Sequence, residues 1–272
     1  MYLSDRYPQL SLPAEAGMRN TQLYKARVLR GEPIPEKDRF FLLPGESITR
    51  ELTPAGAAEI LLIPDRERFV YCYRALAFRC EPEPVPDTVG AVCINGLINW
   101  EKIQAHRQAY LAEGGTDWNE EFRRFTAEKT NYTDSLIVLS GGPYSGLNAG
   151  RVGLPEEEWR DKSVTIRKFH ELTHFVMRKL YPEDKDTVRD EVLADLIGVY
   201  AAFGACEAAP VRLFLGIEDG AFNGAGRLSY YSGADSIRAD ALRAEEFLRL
   251  YAGRLEKLSK EAPLEMLLRI FP

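Results

Sequence analysis

Long apolar runs are missing from this chain. No stretch approaches the ~20 residues that cross a bilayer, so a helical membrane protein is not expected. Positive charge is in deficit, with 35 Lys and Arg against 41 Asp and Glu and a net charge of −6. That balance argues against general binding to nucleic acid or to an anionic membrane. Cysteine is limited to Cys72, Cys80, Cys93 and Cys206, at spacings that suit neither a disulfide framework nor a thiolate metal site. The simplest reading is four reduced thiols in a cytoplasmic protein. Residues Met1 to Arg6 carry no basic segment leading into an apolar stretch, and no signal peptide is expected. There is no internal repeat, and no glycine-rich loop ends in the Gly-Lys-Ser/Thr of a phosphate loop. What remains is a globular chain of 272 residues, 45% hydrophobic, able to bury one large core or two modest ones.

Histidine is the scarcest functional residue, at three copies, and two of them fall in His170-Glu171-Leu172-Thr173-His174. Independent placement of these residue types would produce one such H-E-x-x-H pattern in roughly 0.3% of chains of this composition. Residues four apart on a helix point the same way from successive turns, so both imidazoles can hold one ion. Glu171, turned about a quarter of the way round, then faces a water on that ion. Zinc with three protein ligands and one open position brings the pKa of such a water to about 7, and Glu171 is placed to take its proton as general base. The competing reading is two ordinary histidines on a helix.

The surroundings are helical. Between Ser163 and Tyr181, Ile166, Phe169, Thr173, Val176, Met177 and Leu180 recur at steps of three and four. Both histidines lie on one edge of that stripe, with Arg167, Lys168, Arg178 and Lys179 opposite. Asp161 or Ser163 is expected to cap the start, and Pro182 to end the helix.

A further helix is expected over residues 190–203, apolar nearly all round and therefore buried. Its carboxylates need a cation, a metal or strong donors. Glu191 and Asp195 share a face, and the simplest assignment makes Glu191 the third metal ligand. Asp195 then accepts from the other ring nitrogen of a ligating histidine. Asp190 and Asp195 remain alternatives for the third ligand.

H-E-x-x-H followed by Glu191-x-x-x-Asp195, with Ala194 to Gly198 around it, resembles the gluzincin branch of the zincin metallopeptidases. The resemblance covers about 40 residues, Ser163 to Phe203. It implies a zincin-like fold, Zn2+ held by His170, His174 and Glu191, Glu171 as base, Asp195 as outer partner, and a peptide or protein substrate. It also implies a downstream oxyanion donor, for which Tyr230 and Tyr231 in the Gly216–Gly233 loop are the candidates. One departure stands out: only sixteen residues separate His174 from Glu191, so the turn through Tyr181 to Asp186 must be tight. The metzincin pattern would need another histidine beyond His174, and none exists. A deformylase-like site would need a ligating cysteine upstream, and Cys93 reads better as a buried thiol in a strand. Manganese, iron or cobalt are open, although two His and one Glu suit zinc best. Two other functions are open as well: hydrolysis of a non-peptide amide, and a metal-binding regulatory module without turnover.

For the rest of the chain the expectation is an α+β order, a small mixed sheet followed by a helical active-site and C-terminal region. Residues up to about Arg50 read as an irregular arm, and Val70 to Phe78 as a strand. The proline-rich segment Glu81 to Pro86 suggests a boundary between an N-terminal region, 1–88, and a metallohydrolase domain, 89–272. Strands follow at Val89 to Ile94 and Ser135 to Ser140, the second a candidate to position substrate. Tyr144 and Asn148 in the loop after it are possible donors. Helices are expected near Trp100 to Ala112, Trp118 to Lys129, Asp235 to Leu258 and Leu264 to Ile270, with His106 exposed.

Overall fold

The computed structural model describes residues 2–271. The N-terminal arm is a succession of short helical turns, from Leu3–Arg6 to Glu36–Asp38, rather than irregular coil. The turns are short, yet Tyr7, Leu10, Leu12, Val28 and Phe40 are buried along them. Strands β1 (Ser47–Thr53) and β2 (Gly56–Ile63), which the residue pattern did not reveal, follow around a two-residue turn at Pro54 and Ala55. Helix α1 (Arg66–Ala77) comes next, then β3 (Ala91–Ile98), α2 (Trp100–Ala112), α3 (Trp118–Thr126) and β4 (Thr133–Ser140). The four strands form one mixed sheet in the order β1-β2-β4-β3, and the fold is α+β.

Helix α1 corrects the expectation of a strand at 70–78. Almost every residue there is apolar or aromatic, so period alone could not separate the two structures. Outside that window, Asp65 accepts from the backbone N–H of Arg68 at 2.9 Å and starts a helix. Phe69, Cys72, Ala75 and Leu76 are then buried at helical spacing. His106 is not free on the surface either: its Nε2 lies 2.6 Å from Glu121 and its ring stacks on Phe125 at 4.0 Å. Cys93 is half-buried in β3, and the other three cysteines are buried and unpaired.

Beyond β4 come α4 (Glu156–Leu180), α5 (Thr187–Phe203), α6 (Ala208–Leu215), the two-residue strands β5 (Ile217–Glu218) and β6 (Ala221–Phe222), α7 (Ile237–Glu256) and α8 (Glu265–Ile270). Strands β5 and β6 pair antiparallel, Ile217 with Phe222 and Glu218 with Ala221. No helix of the described residues is long and apolar enough to cross a membrane.

The chain divides into two compact units. The first gathers residues 1–49, 59–85 and 93–138, and the second 50–58, 86–92 and 139–272. The chain passes between them several times, and the crossing at 85/86 falls at the end of the proline-rich segment. Within the second unit, α4 and α5 pack face to face. Gly198 permits this: a Cβ there would stand 2.7 Å from the backbone oxygen of Ile166.

Candidate metal centre

Helix α4 begins seven residues earlier than its apolar stripe suggests. Glu156, Glu157 and Glu158 occupy its first turn, where carboxylates favour the positive end of the helix dipole. Asp161 and Ser163 therefore lie inside the helix and cap nothing; Ser163 instead accepts from the N–H of Tyr144 at 2.9 Å. Arg167, expected on the polar side, is buried and donates to the backbone oxygens of Ser140 at 2.9 Å, Gly142 at 3.1 Å and Pro143 at 3.3 Å. It fastens the loop that carries Tyr144 to α4. The turn from Tyr181 to Asp186 is short enough to return the chain at once, and Asp186 caps α5 through the N–H of Arg189 at 3.2 Å.

This hairpin of helices brings His170, His174 and Glu191 together. The two Nε2 atoms lie 3.0 Å apart. Glu191 faces them with Oε1 at 3.3 Å from His174 and Oε2 at 3.5 Å from His170. Ligands bound to one zinc ion at about 2.0–2.2 Å in a tetrahedron stand about 3.3–3.6 Å from one another. The three side chains thus fit a zinc-sized ion without moving far, and Glu191 Oε2 is buried with no hydrogen-bond partner.

Each imidazole is backed by a carboxylate. His170 Nδ1 lies 2.9 Å from Asp195 Oδ1, and His174 Nδ1 lies 3.0 Å from Asp190 Oδ2. With a proton on each Nδ1, both Nε2 lone pairs are free for an ion. Asp195 is fully buried and held by Arg227, which pairs with both of its oxygens, and by the Tyr144 hydroxyl at 2.6 Å. So occupied, Asp195 serves the outer position. Asp190 does likewise for His174. The alternative third ligands therefore face the rear of the imidazoles, while Glu191 faces the front.

The charges explain the titration of the site. Burial pulls the His174 pKa down, but hydrogen bonds to Asp190 and Glu191 and the charges of Glu191 and Glu171 outweigh it and raise it to about 10. Burial pushes Glu191 up, while its bond to His174, both imidazoles and Arg227 hold it well below the usual carboxylate range. Asp195 is likewise lowered, burial losing to Arg227, His170 and Tyr144. Four carboxylates, Glu171, Asp190, Glu191 and Asp195, lie about the two imidazoles with one guanidinium, Arg227, so even with His174 protonated the acids outnumber the cations. Such an excess favours a divalent cation.

Glu171 sits beside His170 on α4, half-buried, with no hydrogen-bond partner among the described residues. Tyr231 is half-buried near Glu191. Burial and the Glu191 and Asp195 carboxylates raise its phenol above the ordinary range against the pull of Arg227, so it stays protonated and able to donate. Tyr230 is placed elsewhere: it is 60% exposed and its hydroxyl lies 3.0 Å from Thr88 Oγ1. Both tyrosines end a short helix, Leu228–Tyr231, rather than a flexible loop.

Two residues of the site were not foreseen in these roles. Tyr144 was read as a donor to substrate, but its hydroxyl is spent on Asp195 and on His170 Nδ1 at 3.0 Å. Arg227 carries no local signal of its role. It is placed by an unusually close crossing of the chain, in which Gly216 (φ 75) meets Ala225 and a Cβ would stand 1.5 Å from that oxygen. The N–H of Arg227 then bonds to Phe214 O at 2.9 Å. Asn148 caps the short helix Ala149–Val152 through the N–H of Arg151 at 3.1 Å and so is engaged locally. Strand β4 has neighbours on both sides in the sheet, so its backbone is not free to align a substrate. The edge strands are β1 and β3, and Glu51 of β1 pairs with Lys168 of α4 at 3.0 Å.

No match to the chain is found among curated proteins or among solved structures. The profile of a family of unknown function (DUF7005) matches residues 1–263, and the chain belongs to that family.

Proposed function

We propose that the protein is a zinc-dependent hydrolase of the gluzincin type, with a zincin-like helical region, acting on peptide bonds. The observation that carries this reading is the convergence of His170 Nε2, His174 Nε2 and the Glu191 carboxylate at 3.0–3.5 Å on one another, with a carboxylate behind each histidine. A purely structural zinc site is closed by four protein ligands, whereas three ligands with an adjacent free carboxylate is the arrangement of a catalytic one.

His170, His174 and Glu191 would hold the metal. When bound, it supplies a Lewis acid that polarises the scissile carbonyl and makes a water acidic near neutral pH. The chain's own groups then do the rest. Asp195 and Asp190 keep the histidine protons on Nδ1 and orient the rings. Arg227 and Tyr144 keep Asp195 ionised and fixed. Glu171, unpartnered and on the next position of the helix, accepts the proton of the attacking water and passes it to the leaving amine. Tyr231, protonated, is the donor for the oxyanion; Tyr230, turned to Thr88, has no part in this step.

Metal analysis of the purified protein, followed by peptide hydrolysis assays, tests this. We expect near-stoichiometric zinc in wild type and in Glu171→Gln, with hydrolysis lowered by about 10²–10⁴ in the variant. Absence of metal in wild type would remove the reading altogether. Zinc with no hydrolysis of peptides, or with hydrolysis that Glu171→Gln leaves unchanged, would make this a metal-binding module instead.

A further inference from the structure

A cavity of about 600 Å³ lies in the first unit, between the N-terminal arm, the end of α1 and strand β3. That is within the ~300–1,000 Å³ of small-molecule sites. It shares no residue with the His170, His174 and Glu191 cluster. Its lining includes apolar Val28, Leu76, Ile94 and Leu97. It also includes polar Gln9 and Tyr24 and the cations Arg19 and Arg79.

The charges of Arg79 and Arg19 both bear on Tyr24. Burial and the Cys80 thiol push the Tyr24 phenol up to about 12, while Arg79 and Arg19 both pull it down. Both arginines and Tyr24 line the same cavity. Glu81 offsets part of this charge: its oxygens accept from the N–H groups of Gly17 at 2.8 Å and Arg19 at 3.3 Å and lie 3.5 Å from Arg19 Nε. Arg79 has no acidic partner among the described residues.

Arg79 is also held in an uncommon conformation. It stands at φ 55 and Cys80 follows at φ 64, two consecutive left-handed residues that both carry side chains. Glycine would adopt that backbone more readily, so the position of the Arg79 side chain is maintained against local preference. A third observation points the same way. Gln9 is 6% exposed, and its Oε1 has no hydrogen-bond partner. A buried amide oxygen left open at a cavity wall is what a donor on a ligand completes.

We propose that this cavity binds a small amphiphilic organic anion, with a carboxylate or phosphate head held by Arg79 and Arg19 beside the Tyr24 hydroxyl and an apolar body along Val28, Leu76, Ile94 and Leu97. A compact ligand suits the site better than an added peptide strand. Gly96 of β3, at φ 73, departs from the extended backbone that strand addition needs and leaves open space where a side chain would stand.

Calorimetric titration of the full chain with decanoate and with decyl phosphate separates the two head groups. Decanol and decyltrimethylammonium serve as neutral and cationic controls. We expect saturable one-to-one binding of at least one anion and none of the cation, with decanol weaker by about tenfold or more. Arg79→Ala, at an exposed position, should weaken the anion about tenfold with little change in Tm, and Arg79→Lys should recover part of it. Arg19→Ala should act in the same direction but less, because Glu81 shares that charge. His170→Ala and chelation of metal should leave the affinity unchanged, which separates this site from the metal centre. The proposal is overturned if neither anion saturates, if the ammonium amphiphile binds as well as the anions, or if the double variant Arg19→Ala/Arg79→Ala binds like wild type. Loss of binding on chelation or in His170→Ala would overturn it too, since the anion would then be a metal ligand.

Discussion

Two buried polar clusters in this molecule differ in how they complete themselves. In the first unit, Asp134 is surrounded by donors: Tyr7 at 2.8 Å, Asn99 at 2.6 Å, Arg6 at 2.7 Å and Lys102 at 2.7 Å. Arg6 also pairs with Glu59, so two acids meet two bases and the formal charge is zero. Both oxygens of Asp134 are engaged, and only Arg6 Nε goes without a partner. In the second unit, four carboxylates lie about two histidines and a single arginine, and Glu191 Oε2, Asp190 Oδ1 and Arg227 Nε are buried without partners. The first cluster is finished by the chain itself and reads as structure, tying the N-terminal arm to β4. The second holds more carboxylates than cations and leaves two carboxylate oxygens without donors where His170, His174 and Glu191 converge. Buried acid alone does not mark a binding site; buried acid that its own neighbours leave incomplete does.

If that contrast is right, the clusters should fail differently when cut. The largest effect is expected at a ligand. His170→Ala should lower zinc affinity roughly a thousandfold, about 4 kcal/mol, while unfolding of the metal-free protein moves little. Competition with a chromophoric chelator reads the first and denaturant unfolding the second; a variant that keeps wild-type affinity would end the contrast. Asp134→Ala should do the reverse. It leaves Arg6 short of a partner inside the fold and should cost about 3 kcal/mol of stability, with zinc affinity unchanged.

The convergence of His170, His174 and Glu191 was legible because the pattern that brings them together is local. His170, Glu171 and His174 occupy one turn and a half of α4, and Glu191 and Asp195 one face of α5. What completes the site is not local. Tyr144 lies 51 residues from Asp195, and Arg227 lies 32 residues from it. No periodicity connects such positions; only the packing of the Tyr144 loop under Arg167 and the close crossing at Gly216 bring them in. The strand expected at 70–78 failed for a related reason, since the Asp65 cap that decides it lies outside the apolar window. The β1–β2 hairpin was missed because β1 is a polar edge strand, with Leu52 84% exposed, and shows no buried face to read.

Smaller changes sharpen the comparison. Asp195→Asn keeps the shape but loses the charge that holds His170 and Arg227, and zinc affinity should fall about 10–100-fold by the same competition assay. No change would mean that Asp195 only fills space. Gly198→Ala tests whether the site depends on the closeness of the two helices. A Cβ there meets the backbone oxygen of Ile166 at 2.7 Å and its Cγ2 at 3.0 Å, so α4 and α5 must separate. A loss of about 1–2 kcal/mol in stability is expected, and weaker zinc binding with it. Asp134 has no such coupling to the helices in this reading, which makes the pair of variants informative together.

The mildest test uses pH and leaves the sequence intact. Burial raises the Asp134 pKa, but the hydrogen bonds from Lys102, Arg6, Tyr7 and Asn99 outweigh it, and the net value falls below the ordinary 3.8. Since the folded value is depressed, the unfolded chain binds the proton more readily. The contribution to stability is therefore fully present above the unfolded pKa of about 3.9 and is lost as pH falls through the folded value. Denaturant unfolding of metal-free wild type should show a loss of stability below about pH 4 that is reduced in Asp134→Asn. The asparagine variant is less stable at neutral pH but flatter in acid, because it has no proton to take up there. Equal slopes for the two proteins would mean that Asp134 is not the acid whose completion holds the first cluster together.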